Sequence, residues 1–449
     1  MSAPLSRIRI EGTQLDGRQV DISINGSRIT RIRPASPDSG PLDPTGSRTT
    51  SCEPIDRAAT ASEGQATQVI DGRRTAALSG LMNAHTHSAM AILRSYADDM
   101  PLMPWLQEKI WPFEAKLSED DVYWGARLAC IEMIRTGTTF FSDMYWHFHG
   151  TARAARDSGM RALVSGVFID MGDEDKAKAQ REEALEQLAS IERYGPRLQF
   201  AFGPHAIYTV GESALRWIAE TAQSSGTPVH IHLSETQFEV DTCLQTHGLR
   251  PVAYLDRLGL LGPRTLTAHS VHLNDEEIAL LAERGVHPIH NPISNLKLSS
   301  GGPMPYAKMR AAGLNVLIGT DGCASNNNLD LFEELKFAAL MAKHHSMDPT
   351  TLPASEALSL ATRNPAKAYG LDCGTLQEGA LADLILIDLD HPMLFPGHAL
   401  DADLVYGGGG RAVKTTICDG RVLMLEGVIE DEMEIRAEVS ARLARLAEA

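Results

Sequence analysis

The chain has 449 residues, 43% of them hydrophobic, and a formal net charge of −17 at pH 7. This length is sufficient for one large domain with a full core and a smaller second domain. The acidic balance and the lack of a Lys/Arg-rich run argue against a nucleic-acid-binding protein, which normally carries a basic patch. No run of about 18 apolar residues and no apolar N-terminal region occur, so we expect neither a membrane span nor a signal peptide.

The cysteines occur at irregular spacing and form no CxxC pair. They are Cys52, Cys130, Cys243, Cys323, Cys373 and Cys418. In a chain of this length, such a pattern is typical of reduced thiols. The sequence therefore predicts a cytoplasmic protein.

The N-terminal segment has a β-type pattern. Residues 5–34 alternate short apolar runs with turn residues, and the Asn25–Gly26 pair predicts a hairpin. Residues 35–67 are rich in Pro, Ser, Thr and Gly, and we expect a surface insertion there. A further strand is predicted within 68–74.

The central part of the chain alternates β-type runs with helical stretches, of which the clearest is a predicted helix over 174–195. The β-type runs are 76–87, 138–144, 161–170, 198–207, 228–235, 265–271, 287–294 and 315–322. Eight strands separated by helices predict a parallel (β/α)₈ barrel.

The β-type pattern returns after residue 375, and 430–449 predict a terminal helix. We therefore expect an α/β protein with two domains. A TIM-like (β/α)₈ barrel would span 76–374, and a small β-sandwich domain would combine 1–75 with 375–449.

Ionisable side chains follow the predicted barrel strands near their ends, where the active site of such a barrel lies. They are His85 and His87 on the first run, His205 on the fourth, His230, His232 and Glu235 on the fifth, His269 and His272 on the sixth, and Asp321 on the eighth. In a strand, His85 and His87 project from the same face, as a pair of metal ligands does. We interpret the set as one site rather than as separately packed histidines.

Three imidazoles and one carboxylate form a suitable ligand set for a zinc-like ion with an open position for water, and iron or manganese accept the same set. Here the set is His85, His87, His232 and Asp321. Strand geometry alone does not separate His232 from His230, which shares its face. We choose His232 because Glu235 follows three residues later. The fourth run contains no lysine to bridge two ions, so we predict one metal per chain.

Several stretches of the sequence resemble the amidohydrolase superfamily: GLMNAHTHSAM, HIHLSE, TAHSVHL, NVLIGTDG and EGALADLILID. Four others are similar, more narrowly, to the 5′-methylthioadenosine/S-adenosylhomocysteine deaminases, a family related to cytosine and guanine deaminases and triazine hydrolases. They are RSYADDMPLMPWLQEKIWP (94–112), GPHAIYTV (203–210), HNPISNLKLSSG (290–301) and TDGCASNNNLDLFEEL (320–335).

The resemblance implies zinc-dependent hydrolysis of adenine nucleosides, namely 5′-methylthioadenosine, S-adenosylhomocysteine or adenosine, to the inosine-type product and ammonia. It also implies a homo-oligomer, either a dimer or a tetramer. The alternative is a deaminase or chlorohydrolase of a free heterocycle such as guanine, 8-oxoguanine or an s-triazine. A more remote alternative is a barrel that has lost catalysis and serves as a scaffold.

The resemblance also implies roles for individual residues. The four ligands named above would bind zinc, Glu235 would move protons, and His269 would help to hold the nucleophilic water. Asp321 would accept a proton from that water while it binds the metal. Glu235 also contacts the substrate, and the other substrate-binding positions are Trp105, His205 and Ser325.

One position departs from the family pattern. Many members carry an acidic residue beside the tryptophan of this loop, where it binds the ribose hydroxyls, but here the position is Pro104, preceded by Met103. Glu108 and Glu114 lie nearby and are candidate replacements. Ser79, where relatives usually have proline, is expected to have no functional consequence.

Other polar residues receive a structural interpretation. Arg161 begins the third run, and we favour a structural role over the alternative of receiving a charged substrate tail. His147 and His149 form a second HxH pair but have no carboxylate nearby in the sequence to complete a metal site.

Overall fold

The computed structural model describes residues 7–35 and 67–448. The insertion predicted at 35–67 therefore lies, apart from its two end residues, outside the described residues. The strands are β1 (Arg7–Leu15), β2 (Arg18–Asn25), β3 (Arg28–Pro34), β4 (Thr67–Asp71), β5 (Thr75–Ser79), β6 (Leu81–Thr86), β7 (Thr138–Met144), β8 (Arg161–Phe168), β9 (Leu198–Pro204), β10 (Val229–Leu233), β11 (Thr265–His269), β12 (His287–His290), β13 (Leu317–Ile318), β14 (Leu384–Asp388), β15 (Val413–Cys418) and β16 (Arg421–Met424).

The helices lie mainly between the strands of the central region. They are α1 (Leu102–Trp105), α2 (Trp111–Glu114), α3 (Glu119–Arg135), α4 (Phe148–Ser158), α5 (Glu174–Ser190), α6 (Glu212–Ser225), α7 (Gln237–His247), α8 (Pro251–Arg257), α9 (Asp275–Arg284), α10 (Pro292–Lys297), α11 (Tyr306–Ala311), α12 (Cys323–Asn326), α13 (Leu331–Ser346), α14 (Ala354–Leu360), α15 (Arg363–Tyr369), α16 (Leu400–Gly407) and α17 (Glu432–Glu448). Within the described ranges, no helix is both long and apolar enough to cross a membrane.

Strands β6 to β13 form one parallel sheet in chain order. The Asp321 backbone N–H, just after β13, donates to the His85 carbonyl of β6 at 3.0 Å and so links the last strand to the first. A Cβ at Gly319 would lie 2.7 Å from the backbone nitrogen of His85, so only glycine fits where these two strands approach so closely. The predicted (β/α)₈ barrel is confirmed.

The second sheet, which we call the end sheet, has the order β16-β15-β14-β5-β1-β2-β3, and β4 also pairs with β1. It combines strands from both ends of the chain, as predicted, and they form one continuous mixed sheet. Residues from both ends, among them Ile10, Ile22 and Leu386, share a hydrophobic cluster of their own. This cluster supports a separate small domain, but the boundaries at 75/76 and 374/375 stay a prediction.

The first predicted barrel run, 76–87, contains two strands in different sheets. Strand β5 pairs with β14 in the end sheet, and β6 begins the barrel. The chain passes between the sheets at Gly80, where a Cβ would lie 2.3 Å from Thr139 Oγ1. Both strands are buried, and the residues on either side of Gly80 are mostly apolar, so the sequence pattern alone predicts one continuous run.

The helix starts and stops follow local capping rules. Ser118 and Asp121 form a capping box at the start of α3, and Asp173 accepts from the first backbone N–H groups of α5. A short 3₁₀ turn continues α5 to Gly195, whose φ is +90°, so the helix predicted over 174–195 is confirmed. Helix α17 confirms the predicted terminal helix.

Arg161 ties the barrel to the end sheet. It is buried at the start of β8, at the opposite end of the strand from the candidate site. Its Nε donates to Asp383 at 2.7 Å, and its Nη2 donates to Asp419 at 2.5 Å. This geometry supports the structural interpretation of Arg161.

Arg161→Met is expected to lower the free energy of unfolding by about 3 kcal/mol, since it leaves buried carboxylates without their partner. Thermal and urea unfolding measure this loss, and kcat of the folded fraction should be unchanged. The exposed Arg31 on β3 offers the control Arg31→Met, with little expected effect. Unchanged stability combined with a selective loss of activity on charged substrates would contradict the structural role.

Candidate active site

The cleft with the predicted site residues lies at the C-terminal ends of the barrel strands, and its volume is about 720 Å³ including its mouth. A helical segment of residues 102–114, in which a π-helical turn joins α1 to α2, contributes six of its lining side chains. The predicted residues that line the cleft are His87, Trp105, His205, His232, Glu235, His269, Asp321 and Ser325. His85 is fully buried and contacts the same cluster.

The four predicted metal ligands converge on one point. Asp321 Oδ1 lies 3.4 Å from His85 Nε2 and 3.2 Å from His87 Nε2. His232 Nε2 lies 3.3 Å from His87 Nε2. The tertiary fold therefore gathers side chains from β6, β10 and the segment after β13, which are far apart in sequence.

The hydrogen bonds around this cluster fit a bound cation. His87 Nδ1 donates to the Met144 carbonyl, and His232 Nδ1 donates to the His205 carbonyl at 2.8 Å. In neutral rings, both Nε2 atoms then carry lone pairs, which face each other and repel. His85 Nε2 is buried and has no hydrogen-bond partner. A divalent ion at this point would satisfy all three nitrogens, with backbone carbonyls holding two of the rings as outer partners.

His230 lies behind this cluster. Its Nε2 is 2.9 Å from His85 Nδ1, and its Nδ1 is 3.2 Å from Ser142 Oγ. It therefore orients the His85 ring, while its strand neighbour His232 faces the other donors. Burial lowers the pKa of His230 well below its usual value, which keeps the ring neutral.

His269 borders the cluster on the side of Glu235. Its Nε2 lies 3.7 Å from Glu235 Oε2, and together with the donors of His85 and His232 it forms a second group that could hold a metal. Asn295 Nδ2 donates to His269 Nδ1 at 3.0 Å. In a neutral ring this leaves the proton on Nε2, so His269 is arranged to donate a hydrogen bond rather than to bind a cation.

Glu235 is held rigidly after β10. Glu239 accepts the backbone N–H groups of Ser234 and Glu235 at 2.8 and 2.9 Å, and Ser234 adopts a left-handed φ of +50°. Burial raises the pKa of Glu235, which favours the protonated form that a general acid needs. Burial also raises the pKa of Glu239, to about 8.

Asp321 is ionised by its surroundings. Burial alone would raise its pKa, but the neighbouring imidazoles of His85 and His87 outweigh burial and hold the pKa well below its usual value. Ser294 and Ser325 donate to Oδ2 at 2.6 and 3.2 Å. The left-handed φ of +62° at Asp321 is a strained conformation of the kind found at functional sites.

Two residues of this arrangement, Ser294 and Glu239, were not singled out in the sequence. Ser294 follows β12, so the strand-end rule applied to the seventh run would have found it. Glu239 lies in α7, where a glutamate ordinarily faces solvent, and nothing in the local pattern marks it as buried.

The predicted substrate contacts all reach the cleft. Trp105 is buried in α1, and His205 lies beside His232 with its Nδ1 2.9 Å from Thr209 Oγ1. Of the two candidate replacements for the missing acid, Glu114 lines the cleft and accepts from Trp146 Nε1 at 3.3 Å. Glu108 is exposed and outside the lining.

Comparison with known families agrees with this arrangement. The model of the Amidohydrolase family matches residues 76–423, which cover the barrel and part of the end sheet. The chain belongs to the amidohydrolase family. The predicted family, barrel fold and hydrolytic enzyme class are therefore confirmed.

Two curated relatives of this amidohydrolase have names that specify their substrates. The "5′-deoxyadenosine deaminase" of Methanoregula boonei is 52% identical over 384 residues, covering 85% of this chain and 87% of the relative. The "5-methylthioadenosine/S-adenosylhomocysteine deaminase 1" of Archaeoglobus fulgidus is 47% identical over 366 residues, covering 82% and 86%. A solved adenosine deaminase from Xanthomonas campestris with bound zinc superimposes with a TM-score of 0.85 at 33% identity, covering 99% of this chain and 98% of that chain.

Proposed function

We propose that this amidohydrolase deaminates adenine nucleosides by hydrolysis, giving the inosine-type nucleoside and ammonia. The observation that carries the proposal is the buried Glu235 beside the converging donors of His87, His232 and Asp321 in one cleft. The names of relatives with 46–52% identity support an adenine nucleoside as the substrate class.

The residues that would hold the metal are His85, His87, His232 and Asp321. Zinc, when bound, supplies a Lewis acid that lowers the pKa of a water molecule to about 7. A single ion is supported by the cleft lining, which includes no lysine among the described residues. Zinc in the Xanthomonas campestris structure supports zinc rather than iron or manganese.

Proton transfers by this chain's own residues complete the proposed reaction. The Asp321 carboxylate accepts the proton of the water whose oxygen attacks C6 of the purine, while His269 Nε2–H orients that water. Protonated Glu235 donates to N1, where electron density builds up as C6 becomes tetrahedral. The Glu235 carboxylate then takes the proton of the new C6 hydroxyl group and passes it to the amino group, which leaves as ammonia as the C6–N bond breaks. The proton held by Asp321 restores protonated Glu235, so water and the adenine ring give hypoxanthine and ammonia.

A substrate panel tests the proposal directly. The zinc-loaded enzyme is assayed for ammonia release from 5′-deoxyadenosine, 5′-methylthioadenosine, S-adenosylhomocysteine, adenosine, guanine, 8-oxoguanine and cytosine, and for chloride release from a chloro-s-triazine. We expect turnover of the nucleosides and none of the free heterocycles. Preference for a free heterocycle would overturn the substrate class, and failure on the whole panel would favour the scaffold alternative.

Glu114 is predicted to bind the ribose, because it faces the cleft and position 104, where many relatives carry an acidic residue, is proline. Glu114→Gln is expected to raise KM for 5′-deoxyadenosine about tenfold, since a carboxylate binds the two ribose hydroxyls more strongly than an amide. Steady-state kinetics also compare the 2′,3′-dideoxy analogue, whose KM should barely change. The control Glu108→Gln should leave the KM of both substrates unchanged. An equal rise in KM for both substrates in Glu114→Gln would contradict a contact between Glu114 and the ribose hydroxyls.

Two further properties belong to this proposal. The five described cysteines are all free thiols, which supports a reducing cytoplasmic compartment. A dimer or tetramer is expected from the family resemblance, and sedimentation measures it.

A further inference from the structure

A second cleft adjoins the active-site cleft, and we call it the side cleft. Its walls come from the 102–114 segment, the segments that follow β7 and β8, and helix α5, with Leu117, Met171 and Glu183 among its lining residues. Both clefts are lined by Trp111, Glu114, Trp146 and Ile169. None of the converging donors lines the side cleft, so it lies on the far side of these shared residues from the metal cluster.

The side cleft is apolar and lacks a cation. Most of its lining residues are apolar, among them two tryptophans, Leu117, Ile169 and Met171, and Met171 is 64% exposed. Its ionisable lining residues are Glu114, Glu183 and His147, and no described lysine or arginine lines it. Exposed apolar surface of this kind beside a catalytic cleft is typical of a ligand subsite.

The arginine of α5 that lies two residues before Glu183 is engaged elsewhere. Arg181 donates to Ser213 and lies over the Trp217 ring. An anionic group in the side cleft would face Glu183, and no lysine or arginine among the described lining residues would pair with it. Such an arrangement costs free energy, because a charge removed from water needs a partner.

A nucleoside bound for deamination must place C6 and N1 beside Asp321 and Glu235, so its ribose and 5′ group extend away from the donors. We propose that the side cleft binds the 5′ substituent of the nucleoside and selects apolar, uncharged substituents over anionic ones. The inference rests on the proposed function and deepens it. It assigns the enzyme to 5′-deoxy and 5′-alkylthio adenosines rather than to nucleosides whose 5′ group is a net anion.

Two substrates that differ only in the terminal group of the tail, which is neutral in one and anionic in the other, test the selection. They are 5′-butylthio-5′-deoxyadenosine and its 3-carboxypropylthio counterpart, which replaces the last methyl group with a carboxylate. We expect kcat/KM to be about tenfold higher for the butylthio compound, the ratio that corresponds to a carboxylate without a partner. Equal values for the two compounds would overturn the inference.

Variants of the side cleft connect the effect to named residues. Glu183→Lys should lower the ratio of the two kcat/KM values, butylthio over carboxypropylthio, about threefold, because it supplies a cation at a solvent-accessible position. Glu182→Lys makes the same charge change one residue away, outside the lining, and should leave the ratio unchanged. If both variants changed the ratio equally, the cause would be the overall charge, and the assignment of the side cleft would fail.

A second pair of variants, one in the side cleft and one outside it, tests the contribution of the apolar lining. Met171→Ser should lower kcat/KM for the butylthio compound about threefold, through lost apolar contact, and should spare 5′-deoxyadenosine. Met171 and Met347 are both exposed and both have a left-handed φ, of 55° and 52°, so Met347→Ser controls for the backbone strain. Equal losses in both variants, or on both substrates, would overturn the assignment.

These measurements distinguish a failure of the proposed function from a failure of the side-cleft assignment alone. If the wild-type enzyme deaminates no adenine nucleoside, the proposed function is wrong, and the inference fails with it. If it deaminates 5′-deoxyadenosine but accepts the neutral and anionic tails equally, only the inference about the side cleft is wrong.

Discussion

Glu235→Gln is expected to lower kcat about a thousandfold while the fold and the zinc content stay unchanged, because proton transfer by a positioned carboxyl group contributes on this scale. Glutamine has nearly the same shape and can keep the contacts of this loop, but it cannot give a proton to N1 or carry one to the leaving amine. Absorbance of the adenine chromophore measures kcat, and elemental analysis measures zinc.

The exposed Glu220 of α6 provides the matched control, because Glu220→Gln makes the same chemical change far from the cleft. Thermal unfolding of both variants should match that of the wild type. A kcat of Glu235→Gln within about threefold of the wild type would remove Glu235 from the mechanism, since general acid–base catalysis typically contributes about a hundredfold or more.

Substitutions on β10 are expected to distinguish His232, a metal ligand, from His230, which orients a ligand. His232→Gln should lose most of its zinc and, at ambient zinc, nearly all activity, because it removes one of the four converging donors. His230→Gln should keep its zinc but bind it about 10–100-fold more weakly, which is the usual cost of removing a residue that orients a ligand. Competition with a chelator of known affinity measures both constants.

These two variants control for each other, because they make the same substitution two residues apart on the same strand. If His230→Gln lost the zinc and His232→Gln retained it, the ligand assignment would be reversed. Added zinc should restore activity to His230→Gln at concentrations that leave His232→Gln inactive.

The hydrogen bonds of the imidazole rings explain why this pair could not be resolved from the sequence. Both histidines of β10 share one face, and the period of two residues treats them alike. They differ because His232 Nδ1 donates to the His205 carbonyl, whereas His230 reaches His85 and Ser142. Those partners come from other strands, so only the closed barrel brings them together.

The sequence by itself determined the barrel, its end sheet and most of the candidate site. Parallel strands separated by helices all end at the same edge of a barrel, so the sequence is sufficient to group residues such as His85, Glu235 and Asp321. The hairpin at Asn25–Gly26 and helix α5 followed from local turn and capping chemistry, which involves only neighbouring residues.

The tertiary structure decided what depends on contacts between distant segments. It divided the run 76–87 at Gly80, because burial in either sheet demands the same apolar residues. It placed Ser294 on the Asp321 carboxylate and Glu239 beneath the Glu235 loop, and it opened the side cleft between the 102–114 segment and α5. Hydrogen-bond direction and cavity shape arise from the meeting of such segments, and no local periodicity encodes them.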